Sequence, residues 1–242
     1  MKTKVTSNNP VIPPVVTGSI WHSPLNVYWH IQQLTKRVGP EAIESKNSFY
    51  NMVREARLGA VVSLIMFSRM GKPTYLQLHR PDPPDIIIMQ PSKISVGTRD
   101  ITQVEVTTYL NTREPLLDQL KRKKIPPGRP VLSDNYILLV NMGIGAEIDP
   151  KPIKNYLKEN KNAFPVYLLQ EKTAHPDTLA RLIMINPEEI YEIEVNIGKA
   201  AHDFQELGYP DVIRSKRAGS VKFVRAEHTG KIYDAPWETI GK

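Results

Sequence analysis

The chain contains no cysteine. That excludes disulfides, thiolate metal sites and a cysteine nucleophile. It has no apolar run close to the roughly 20 residues that span a bilayer. Its N-terminus lacks the charged-then-apolar pattern of a secretion signal. No membrane partner and a cytoplasmic location are therefore expected. Several catalytic signatures are missing too: there is no GxSxG, no P-loop and no glycine-rich dinucleotide turn. The six histidines show no close ligand spacing; His79, near Asp82 and Asp85, is the one to watch. Gly143-Ile144-Gly145 superficially resembles a phosphate loop, but two glycines at a strand end more often form a turn. No internal repeat is present.

What remains is enough for a folded protein. A chain of 242 residues suits one domain with extensions, or two small ones. At 40% hydrophobic residues it can bury a sizeable core, so a wholly disordered chain is excluded. The net charge of +7 fits either a phosphate-polymer partner or a plain basic surface.

Residues 1–20 read as a loose arm, with Pro10, Pro13 and Pro14 among small polar residues. Ser23-Pro24 opens a helix as N-cap and first helical position. Gly39-Pro40 ends it. Trp21, Tyr28 and Trp29 either pack or stack on bases. A second helix is predicted from about Ser48 to Met70, because Phe49, Met52, Val53, Ala56, Ala60, Leu64 and Phe67 keep a 3.6-residue period. Strands are expected at 74–79, 84–89, 103–109, 136–142, 165–169 and 182–185, with helices at 112–124, from Asp149, and at 197–207. Lys121, Arg122, Lys123 and Lys124 end one helix, either as a solvated terminus favoured by the helix dipole or as a phosphate contact. From Arg214 onward the chain is basic and poor in apolar residues. The sum is a three-layer α/β domain over 21–210, with a basic extension at 211–242.

The chemistry concentrates in Pro84-Asp85-Ile86-Ile87-Ile88-Met89 and Gln103-Val104-Glu105-Val106-Thr107-Thr108-Tyr109. Each run is β-branched and carries one acid. The polar stretch between them reads as a hairpin connection, and antiparallel pairing would bring Asp85 near Glu105. Two such acids repel and are costly to desolvate. A divalent cation is the usual remedy. Each acid also has a plainer role. Asp85 can cap local amides in a turn. Glu105 can face solvent on an edge strand. Glu55, beside the apolar stripe of the long helix, can form a surface ion pair.

The order of elements and these residues together resemble the PD-(D/E)xK nuclease superfamily, the restriction-endonuclease-like fold. The resemblance covers Ser48 to Met142, extending toward Leu169. It implies a mixed central sheet flanked by helices. It also implies a Mg²⁺- or Mn²⁺-dependent nuclease acting on nucleic acid, DNA above all. Pro84-Asp85 matches the motif's PD, Glu105 its second acid, and Glu55 the helix glutamate of many members. Asp85, Glu105 and the carbonyl of Val106 would then hold the metal, and Glu55 a water or a second metal. Lys93 and Lys121 to Lys124 would contact the phosphate backbone. The departure is Thr107, where the family has lysine. Thr107 shares Glu105's face of the strand but brings no positive charge. Lys93 and Lys121 are the nearest replacements in sequence. The alternative is an inactive module on the same fold that binds nucleic acid or assembles into an oligomer.

Overall fold

Ser23 decides where the first long helix begins. Its side chain accepts the Asn26 N–H at 3.0 Å, Pro24 follows with its φ already helical, and Gly39 ends the helix at φ 85°. The computed structural model describes residues 20–43, 48–78, 84–91, 99–109, 114–127, 135–144, 146–160, 164–172, 178–215 and 223–227. In chain order they form β1 (Ile20–His22), α1 (Pro24–Val38), a single turn α2 (Pro40–Ile43), α3 (Ser48–Met70), β2 (Tyr75–Leu78), β3 (Ile86–Pro91), β4 (Arg99–Thr108) and α4 (Leu116–Lys123). Then come β5 (Tyr136–Ile144), α5 (Lys151–Glu159), β6 (Val166–Glu171), β7 (Leu179–Ile185), β8 (Ile190–Asn196), α6 (Ile197–Glu206), β9 (Val212–Ser215) and β10 (Phe223–Glu227).

The strands form one mixed sheet in the order β10-β9-β1-β2-β3-β4-β5-β6-β7-β8. β2, β3 and β4 are an antiparallel meander. β5 then lies parallel to β4, and β6 parallel to β5. Parallel neighbours need a crossover, and α4 and α5 supply it. Strand alternation sorts the core into two faces. Ile86, Ile88, Val104, Val106, Ile137 and Leu139 pack against α1, α3 and α6. Leu138, Val140, Met142, Val166 and Leu168 pack against α4 and α5. The result is the expected three-layer α/β architecture, with the run α3, β2, β3, β4, α4, β5 at its centre.

The second half of α3 is buried from Leu58 to Ile65, as its nearly unbroken apolar sequence requires. Gly59 lets α3 approach the sheet. A Cβ placed there would lie 2.8 Å from Ile86 Cδ1 and 3.2 Å from its Cγ2. Ile86 is fully buried, so it has little room to retreat. Gly59→Ala gains helix propensity but overpacks this contact, and a net loss of about 1 kcal/mol is expected. Urea denaturation checks this, and Gly59→Ala/Ile86→Val should recover the loss; an unchanged midpoint in the single variant would refute tight contact.

The sheet extends past the domain end expected at 210. β9 pairs with β1, and β10 with β9, so residues 212–215 and 223–227 are part of it. β8, also absent from the sequence expectation, forms the opposite edge. The arm before Ile20, His79, Asp82, Lys93 and the basic positions 216, 217, 222 and 231 lie outside the described residues. Among the described residues no helix is long and apolar enough to cross a membrane.

Candidate functional site

The β3–β4 ladder opens at Ile86 opposite Val104. Asp85 directly precedes the first pair of this ladder. Asp85 Oδ2 accepts the Val106 amide at 2.6 Å. The Asp85 amide in turn donates to the Val104 carbonyl at 3.0 Å. Asp85 thus caps a backbone amide on the neighbouring strand β4, not one within its own turn.

Glu105 points to the α4–α5 face and is only 8% exposed. A carboxylate this deep needs partners. Oε1 is met by the ammonium of Lys124, immediately after α4. Oε2 accepts the Tyr136 hydroxyl at 2.9 Å. The Tyr136 ring is held edge-on against Phe164, centroids 4.9 Å apart. The main chain beside Lys124 is anchored as well, since the Tyr156 hydroxyl of α5 donates to the Ile125 carbonyl at 2.6 Å. Burial pushes the Tyr156 phenol up, consistent with a donor that stays protonated. The solvent-facing edge reading of Glu105 is thereby excluded.

Thr107 stays on the Glu105 face and lines a small concavity with Thr108, Tyr109, Gln119, Lys123 and Lys124. The motif strand thus has a cation nearby. It is Lys124; of the two replacements expected from the sequence, Lys121 lies over the Tyr156 ring and Lys93 is outside the described residues.

The basic run divides by role. Lys121 lies over the Tyr156 ring, 4.9 Å from its centroid. Arg122 makes a two-pronged pair with Glu114, at 3.2 and 2.6 Å, which raises its already high pKa. Lys124 serves Glu105. Lys123 alone of the four is exposed with no ion pair among the described residues. The run as a whole is therefore not a free phosphate cluster.

Glu55 does not join Glu105. Its helix α3 covers the Val104 and Val106 face, so the sheet separates the two glutamates. Among the described residues no three His, Asp or Glu side chains group as a metal site. Asp85, Glu105 and the Val106 carbonyl all offer oxygen, the donor type that hard cations take. Each bonded carboxylate oxygen also keeps a second lone pair. Sequence reasoning missed Tyr136, which reads only as the first residue of an apolar strand, and it did not single out Lys124 within the run. No protein-family model matches the chain, and neither the comparison with curated proteins nor that with solved structures gives a match.

Proposed function

We propose that the chain is a Mg²⁺- or Mn²⁺-dependent phosphodiesterase of the PD-(D/E)xK type, acting on nucleic acid, with DNA as the expected substrate. One observation carries the reading: the Lys124 ammonium sits on Glu105, beside Thr107, where the motif strand itself lacks a cation. Asp85 and Glu105, on adjoining strands, would hold the metal together with the Val106 carbonyl. Bound there, the metal would lower the pKa of a water and offset charge on the phosphate. Lys124 would add positive charge beside the phosphate oxygens as negative charge develops on them. Thr107 would donate its hydroxyl to the same group. Tyr136 keeps the Glu105 carboxylate in one orientation. Glu55 has no part in this scheme.

The test is cleavage of single- and double-stranded DNA with Mg²⁺ or Mn²⁺. Asp85→Ala and Glu105→Ala should each reduce cleavage to background while circular dichroism shows a folded chain. Cleavage that survives both substitutions would eliminate the site.

A second reading has its own support. Both oxygens of Glu105 are engaged by Lys124 and Tyr136, and Asp85 caps Val106. Each acid thus has a structural purpose with no metal present. A binding or assembly module on this fold would bind nucleic acid in a salt-dependent manner and cleave nothing.

A further inference from the structure

The lysine just after β6 and that of α6 spend their charge internally: Lys172 pairs with Glu194, and Lys199 with Asp203 at 3.0 Å. Those of α5 do not. Lys151, Lys154 and Lys158 make no ion pair among the described residues. At 3.6 residues per turn they fall within about 60° of arc and span about 10 Å of helix. Ile153, Tyr156 and Leu157 form the buried side of the same helix. The lysines therefore make an outward stripe opposite the core contact. Lys151 and Lys158 are exposed, and Lys154 is half-buried.

The helix that carries this stripe touches α4 on its other, inner side. Lys121 reaches across to the ring of Tyr156 on α5, and the exposed Lys123 lines the concavity beside Glu105. Basic groups from two helices thus share one layer, the layer toward which Glu105 and Thr107 point. The acids in these two helices are Asp118 and Glu159, fewer than the lysines and arginine they accompany.

We propose that the outward stripe of Lys151, Lys154 and Lys158 is a docking track for a nucleic-acid backbone. The inference rests on the nucleic-acid partner proposed above, but not on cleavage. Its length matches about three successive phosphates of one strand, which repeat every 3.4 Å along the axis. A membrane surface is a poorer fit. The other exposed positions of α5 are Pro152, Asn155 and Glu159, and a helix that lies in a bilayer interface needs an apolar face free to insert. The apolar face of α5 is in the core.

The experiment is fluorescence anisotropy of a labelled DNA duplex and of a single strand, in EDTA, over a range of salt. The full chain is compared with Lys151→Gln/Lys154→Gln/Lys158→Gln. A control removes equal charge from the opposite layer and its α3–β2 connection, as Lys36→Gln/Arg37→Gln/Lys72→Gln. The stripe variant should bind about tenfold more weakly at 0.1 M salt, and its slope of log affinity against log salt should fall by about 2 to 3 for duplex. The control should keep the wild-type slope. No binding by the wild type, an unchanged slope in the stripe variant, or an equal loss in the control would overturn the proposal. So would a stripe-dependent affinity for anionic vesicles but not for DNA. Because EDTA removes any metal requirement, stripe-dependent binding without Mg²⁺-dependent cleavage would sink the nuclease reading and leave the track standing.

Discussion

Lys124→Met is expected to lower the free energy of unfolding by about 2–3 kcal/mol. Removing one partner of a largely buried pair leaves the other charge uncompensated, typically at a cost of about 3–5 kcal/mol. Here the Lys124 side chain is 26% exposed and Glu105 keeps its Tyr136 hydrogen bond, so the lower end applies. Lys124→Met/Glu105→Gln should recover most of the loss, because an uncharged amide can still accept the Tyr136 hydroxyl. Urea denaturation of the two variants and the wild type checks this. Equal destabilisation of single and double variants would mean that the pair is not a unit. The same substitution bears on the proposed activity. Lys124→Met should depress DNA cleavage, and adding Thr107→Lys should restore part of it by returning a cation to the strand. Restored stability without restored cleavage, in Lys124→Met/Glu105→Gln, would separate folding from chemistry.

Acidification should destabilise the protein through His22 by about 3 kcal/mol. The residue is 6% exposed on β1, with Nδ1 lying 3.4 Å from the Asn26 amide. Burial, with His30 and Arg214 nearby, pulls its imidazole down to about 4 from the usual 6.5. Above pH 6.5 the ring is neutral in both the folded and unfolded chain, and its contribution to stability is fully present. Between pH 6.5 and about 4 the unfolded chain takes up the proton and the folded one resists it. Stability therefore falls as the pH drops through that window, by about 1.4 kcal/mol per unit. Below about 4 both states carry the proton and the loss levels off. Other groups titrate here too, so the informative quantity is the difference from His22→Gln. Urea unfolding of both at pH 7.5 and pH 4 should show the wild type losing about 3 kcal/mol more. Parallel losses would mean that His22 is accessible to protons when folded.

Local chemistry announces its own consequences. Ser23-Pro24 and Gly39 bound α1 because capping, a fixed φ and a left-handed φ are properties of those residues alone. The period of Met52, Val53, Ala56 and Ala60 marks α3 for the same reason. The alternation of Ile193 and Val195 with Glu192 and Glu194 was an available strand signal for β8. The strands β1 and β9 are short, and their pairing comes from opposite ends of the chain, so no local window reveals it. Asp85 and Glu105 were visible as acids at a strand start and in mid-strand. Their partners were not, since Tyr136 lies 31 residues from Glu105 and Lys124 lies 19.

The sequence by itself determined the central elements, their order and the need of one mid-strand carboxylate for compensation. Helix caps, periodicity and the cost of a buried charge act over a few residues and require no knowledge of the rest. Tertiary structure alone decided which groups meet that carboxylate, which face of the sheet Glu105 sees, and that α4 and α5 share one layer. Those facts depend on two crossovers and on strand parity, which place distant segments side by side only when the sheet has formed.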